Sequence, residues 1–190
     1  MLTISTKSFA VETATQDAIR KFVNNIGNEI VKTAGNSSLS EDKKRTNIIN
    51  IVDSSIDANW IARFVLGKSY KTASEEQKQA FTKLYREFMI NTYGPKFKNY
   101  DGRKFEVFTV TEQSGFYVAK AEFLPKNSNT PISVDFRVKD RDGKLVILDF
   151  IAEGVSLIET QRSEFNSAIT QKGMDDFLKE LEVRVKNLKK

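Results

Sequence analysis

An α+β fold, with an antiparallel four-stranded sheet packed against a layer of helices, follows from three observations. Apolar residues recur at three- and four-residue steps up to Tyr93, alternate singly between Lys104 and Ala152, and return to helical spacing after Gly154. The links between the alternating runs are of hairpin length, which makes neighbouring strands antiparallel. No repeat or long linker separates a second unit, so helices, strands and helices belong to one domain with a sheet covered on one side.

The first helix follows Ala10, where Ile19, Phe22, Val23, Ile26, Ile30 and Val31 make one apolar face, and Gly35-Asn36-Ser37-Ser38 ends it. Ser40 caps a second helix carrying Ile48, Ile49, Ile51 and Val52. Asp57 caps a short third helix through Leu66, which Gly67 stops. Ser74-Glu75-Glu76-Gln77 is a capping box, the serine oxygen taking a free N–H while Gln77 reaches back. The long helix it opens buries Phe81, Leu84, Tyr85, Phe88 and Met89, and Gly94-Pro95 breaks it before Phe97 and Tyr100.

Lys104 to Thr111 and Phe116 to Leu124 read as strands joined around Ser114-Gly115. In the third strand Ile132, Val134, Phe136 and Val138 alternate with Ser133, Asp135, Arg137 and Lys139, the pattern of a half-buried strand. Asp140-Arg141-Asp142-Gly143 turns into Leu145 to Ala152, a strand apolar on both faces and therefore internal or covered. Gly154 lets the chain turn sharply, Ser156-Leu157-Ile158-Glu159 reads as a second capping box, and Gly173 separates that helix from a last one through Val185.

Composition narrows the chemistry. With 190 residues, 39% hydrophobic and 29% charged, the chain can bury one sizeable core. No apolar run approaches the roughly 20 residues that cross a bilayer. Fourteen Phe against one Trp and five Tyr supply rings that fill an interior or line an apolar cavity, and composition alone leaves both open. The net charge of +5 is spread among interleaved acids and bases, the pattern of a solvated surface, and no nucleic-acid partner is expected. Met1-Leu2-Thr3-Ile4 with Ser8-Phe9-Ala10 reads as the remnant of an export signal over residues 1–10.

Histidine and cysteine are both absent, which removes thiolate metal sites, disulfides and any Ser-His or Cys-His pair. The carboxylate pairs Asp53 with Asp57, Asp140 with Asp142, and Asp175 with Asp176 fall on turns or helix starts. Asp140 to Gly143 resembles part of a calcium loop, but Lys144, Val146 and Leu148 stand where oxygen donors are needed. Neither a catalyst nor a metal is expected.

Two blocks carry a resemblance. The first is Asp57-Ala58-Asn59-Trp60-Ile61-Ala62-Arg63-Phe64-Val65-Leu66-Gly67-Lys68-Ser69-Tyr70, closed by Ala73-Ser74 and Gln77. The second is Glu153-Gly154-Val155-Ser156-Leu157, followed by Arg162 and Phe165. Together they resemble the MlaC family of soluble phospholipid-binding proteins that accompany an ABC transporter, also called toluene-tolerance auxiliary proteins. The resemblance runs from about Ile19 to Leu188. It departs at Leu145 and Tyr70, positions that hold Trp in many relatives.

The resemblance implies that residues 11–190 form a single lipid-binding domain in the periplasm, with an apolar cavity for acyl chains between sheet and helices. The residues expected to line it are Phe64, Phe81, Leu84, Phe88, Tyr93, Phe108, Ile132, Val134, Phe136 and Phe150. It further implies a monomer that carries phospholipid as cargo, with no other cofactor. Its partners would be an inner-membrane ABC transporter complex and an outer-membrane lipoprotein complex, docked transiently to maintain outer-membrane lipid asymmetry. Arg63 is left between an internal salt bridge and a phosphate at the cavity mouth, and Glu153 could pair with Arg162. The rival reading is a non-enzymatic interaction module with a filled core.

Overall fold

The computed structural model describes residues 7–93, 104–124 and 129–188, with side chains from residue 15 onward. Residues 1–6, Gly94-Pro95, Phe97 and Tyr100 lie outside the described residues. Helices α1 (Lys7–Ala34), α2 (Glu41–Ser55), α3 (Ala58–Leu66), α4 (Ser69–Thr72) and α5 (Glu75–Tyr93) precede the sheet. Strands β1 (Lys104–Gln113), β2 (Phe116–Leu124), β3 (Ile132–Arg141), β4 (Lys144–Ala152) and β5 (Val155–Ser156) follow, then α6 (Leu157–Lys172) and α7 (Met174–Leu188).

The sheet runs β1-β2-β3-β4-β5 with every pair antiparallel. It has one strand more than expected, because Ala152 pairs with Val155 across a two-residue turn. Glu153 and Gly154 both hold positive φ, 49° and 78°. That is the primed-turn geometry whose twist matches paired strands. A chain expected to leave the sheet at Gly154 therefore folds back on it first.

One face of the sheet is apolar. Cross-strand rows place Phe105, Phe123 and Ile132 together, then Val107, Ala121 and Val134, then Val110, Ala119, Phe136 and Phe150. Helix α1 presents Ile19, Val23, Ile26 and Ile30 to this face, and α2 adds Ile48. The approach is close: a Cβ built on Gly27 would lie 2.2 Å from the Phe105 ring. The opposite face carries Glu106, Lys120, Glu122, Ser133 and Asp135.

A second core forms away from this one. Ile61, Val65 and Leu66 of α3, Phe81, Tyr85 and Phe88 of α5, Phe165 of α6, and Phe177 and Leu181 of α7 enclose one another. Ile56, between α2 and α3, packs against both cores. Its backbone bridges to Ile147 of β4, and the Asp57 N–H donates to the Ile147 carbonyl at 3.4 Å. The molecule thus has a sheet half and a helical half with a seam between them.

Caps fall where the residue types place them. Asp57 accepts from the Trp60 N–H at 2.9 Å. Ser74 and Gln77 complete their box reciprocally, at 3.2 and 2.9 Å. Ser74→Ala is expected to cost about 1 kcal/mol, read as a melting temperature lower by roughly 2–4 °C. At Ser156 only half the box forms. The Glu159 N–H donates to its hydroxyl at 3.1 Å, while the Glu159 carboxylate instead accepts from Arg137 at 2.6 Å.

Candidate functional site

Part of the seam lies where α2 and α5 face each other. A cleft of about 310 Å³ opens there, with Asp42, Arg45 and Ile49 on one wall and Glu87, Ile90 and Asn91 on the other. The α2 stripe through Arg45 and Ile49 continues along the helix to Val52 and Ile56, and Leu84 shares the α5 stripe with Glu87 and Asn91. The seam is therefore charged at one end and apolar along its length. Between α2 and α5, Arg45 donates to Asn91, and Arg86 makes a two-point contact with Asp53.

Partly exposed apolar side chains rim both cores. Phe22, Val52, Ile132, Val134 and Phe150 rim the sheet core, and Trp60, Phe64, Leu84 and Met89 rim the helical one. Phe136, buried behind this rim, stacks edge-on against Phe150 at 5.0 Å and Phe105 at 5.9 Å.

Of the ten residues expected to line one cavity, eight are divided between the two cores. Ile132, Val134, Phe136 and Phe150 belong to the sheet core, and Phe64, Phe81, Leu84 and Phe88 to the helical core. Phe81 and Phe88 are enclosed by Tyr85, Phe165 and Phe177 within the bundle. Both stripes face inward, but into different cores.

Phe108 is a correction. It is 50% exposed: Phe105 and Val107 face the core, so strand alternation points Phe108 outward, and the register shift between Val107 and Thr109 then returns Val110 to the inner face. As the edge strand, β1 leaves Val107 backbone groups that α1 takes up. Arg20 donates to the Val107 carbonyl at 2.7 Å, and the Val107 N–H donates to Asn24 at 2.9 Å. A bulge held this way also blunts the free edge of β1.

Tyr93 ends α5 half-buried, with its hydroxyl accepting from Gln161 at 3.3 Å. Gln161 is only 3% exposed; it also accepts from the Tyr85 hydroxyl and approaches the Met89 sulfur at 3.1 Å. Burial raises both phenols, Tyr85 strongly, so both remain neutral. Sequence reasoning passed over Gln161. The available signal was a polar residue on the Ile158, Phe165, Ile169 stripe, just as Asn91 interrupts the Phe81, Tyr85, Phe88 stripe.

The two blocks that carry the family resemblance pack on each other. Arg162 donates to the Phe64 carbonyl, and Asn166 to the Val65 carbonyl at 2.8 Å, satisfying the last turn of α3. The Arg162 guanidinium also lies 4.7 Å from the Phe64 ring centroid. Arg162 is thus engaged by α3, and Glu153 lies exposed on its turn. Exposed Arg63 makes no salt bridge among the described residues and lies 5.7 Å from the Tyr70 ring centroid.

At the β4–α6 corner sits Asp149, 1% exposed. It accepts from the Ser156 hydroxyl at 2.6 Å, Arg137 at 3.1 Å and the Ile158 N–H at 3.3 Å. Burial pushes its carboxyl above the ordinary range, against the downward pull of Ser156, Ile158 and Arg137.

Five of the six paired carboxylates noted in the sequence have structural partners. Asp53 meets Arg86, Asp57 caps α3 and lies 3.6 Å from Arg141, and Asp140 accepts from the Gly143 N–H at 2.7 Å. Asp175 accepts from Gln77 at 2.7 Å, and Asp176 pairs with Lys179 at 2.9 Å. Among the described residues no three acidic groups are placed to hold a metal ion, and no helix is long and apolar enough to cross a membrane.

Comparison with known proteins agrees with this architecture. The family model of the MlaC protein matches residues 11–183. The intermembrane phospholipid transport system binding protein MlaC of Haemophilus influenzae is 23% identical over 155 residues, covering 78% of this chain and 72% of that protein. A phospholipid-binding protein from Ralstonia solanacearum, solved in complex with a phospholipid, superposes with a TM-score of 0.79. It is 19% identical, and the match covers 90% of this chain and 98% of that one.

Proposed function

Because the chain belongs to the MlaC family, we propose that it is a periplasmic carrier that binds a glycerophospholipid by its acyl chains. The observation that carries this reading is the seam, where two separate apolar cores meet along partly exposed aliphatic and aromatic side chains. Each methylene moved there from water gains about 0.8 kcal/mol, so two chains are held without a specific polar contact. The chain would take lipid from one membrane complex and deliver it to another, an outer-membrane lipoprotein complex and an inner-membrane ABC transporter complex. It would act as a monomer, by shielding tails from water, with no covalent step. The lining proposed is Ile132, Val134, Phe136 and Phe150 on the sheet side and Leu84 on the helical side, with Phe64 and Tyr93 near the rim.

Native mass spectrometry of the freshly purified protein, followed by solvent extraction, tests this reading. A mass excess resolving to stoichiometric phospholipid is expected. A bare chain that also refuses added phospholipid would return the reading to an interaction module with a filled core. Val134→Asp places a charge on the partly exposed sheet face and is expected to lower lipid retention at least tenfold while far-UV circular dichroism is unchanged. Phe108→Ser, on the outward bulge, is expected to retain lipid as the parent does.

A further inference from the structure

Charge in the α2–α5 cleft has an arrangement that tail binding does not use. Arg45 holds no carboxylate in ion-pair range among the described residues, although Asp42 is one turn away and lines the same cleft. Its partner is the side-chain oxygen of Asn91, a residue 4% exposed on the inward stripe of α5. A guanidinium has five donors in a planar fork, and a single bond to a neutral amide orients that fork without neutralising it. Such a cation matches the two-point geometry of a phosphate.

The surroundings narrow the ligand. Asp42 and Glu87 line the same cleft and would repel a bare anion, while favouring a cationic group attached to it. Ile49 and Ile90 add an apolar wall that continues along the seam through Val52 and Leu84. At about 310 Å³ the cleft lies at the small end of ligand pockets, roughly 300–1,000 Å³, a size for a headgroup with its tails running on into the seam.

We propose that this cleft reads the headgroup of a zwitterionic phospholipid, its phosphodiester on Arg45 and its ammonium toward Asp42 and Glu87. Asn91 is the positioning residue that holds the guanidinium across the seam. The proposal rests on the carrier reading and gives that carrier a cargo preference.

The test offers the full chain an equimolar mixture of phosphatidylethanolamine, phosphatidylglycerol and diacylglycerol with identical tails, and reads retained lipid by native mass spectrometry. The parent is expected to favour phosphatidylethanolamine over phosphatidylglycerol about threefold, and either phospholipid over diacylglycerol about tenfold. Arg45→Met should erase the preference over diacylglycerol, with Arg45→Lys intermediate, because a point charge replaces the fork. The double variant Asp42→Asn, Glu87→Gln should erase only the preference for the amine. Equal retention of all three lipids by the parent would overturn the headgroup site and leave the carrier standing. Retention of none would overturn the carrier and this site with it. Tail-less glycerophosphoethanolamine competing at the same concentration as the lipid would make the cleft a site for soluble phosphodiesters and overturn the lipid assignment.

Discussion

Gly27→Ala is expected to destabilise the protein by about 2 kcal/mol, although alanine is the better helix former. The favourable side is about 1 kcal/mol of helix propensity. Against it, the new Cβ would lie 2.2 to 2.5 Å from three atoms of the Phe105 ring. That is far inside contact distance, and the ring atoms include Cγ, so the clash is not relieved by swinging a chain end. Overpacking of this kind costs about 1–3 kcal/mol, and two neighbours displaced together lie at the upper end. Thermal unfolding should show a midpoint lower by roughly 4–8 °C. Combining Gly27→Ala with Phe105→Leu should cost less than the sum of the two single changes, since residues in contact couple. A neutral or raised midpoint for Gly27→Ala would mean that α1 shifts off the sheet at no cost, and the tight α1–β1 contact would not be an anchor of the sheet core.

Asp149→Ala should do more damage, about 3–5 kcal/mol, because two buried donors lose their acceptor at about 1–3 kcal/mol each. Arg137 keeps Glu159 at 2.6 Å. The donors are the Ser156 hydroxyl and the Ile158 N–H. Because Ser156 also caps α6, the corner that seats α6 against β4 should loosen first, visible as faster amide exchange at Ile158 and Glu159. Asp149→Asn separates charge from shape through pH. The folded-state carboxyl titrates above its unfolded value, so the native state holds a proton the unfolded state has already lost. The stabilising contribution is then complete below the unfolded value near 3.8 and is lost as pH rises through the raised native value. The parent should therefore gain stability relative to Asp149→Asn as pH falls from 7 toward 4. A difference independent of pH would show that Asp149 is not strained by burial.

The sequence by itself determined every long helix and four of the five strands, where most helices are capped, and which face of each is apolar, but it passed over the short α4 and β5. The Ile132-to-Val138 alternation, the Ser74–Gln77 box and the Ile19-to-Ile30 stripe all read correctly because they depend on residues a few positions apart. The family could be read too, since the blocks around Ile61 to Gly67 and Glu153 to Phe165 keep local spacing. What periodicity could not tell was which apolar face meets which. Phe81 and Ile132 carry the same inward signature, yet a signature of burial names no partner, and only the tertiary structure sent one into the bundle and the other onto the sheet. Alternation with Phe105 and Val107 already pointed Phe108 outward, but nothing local showed that the Val107 backbone groups on the β1 edge would be satisfied by Arg20 and Asn24, more than 80 positions earlier in the chain. Arg162 met a carbonyl of α3 rather than Glu153, and Gln161 met two tyrosines. The reason is common to all of them: a hydrogen bond or a packed ring is decided by distance in space, and positions far apart in the chain leave no mark on each other's local spacing.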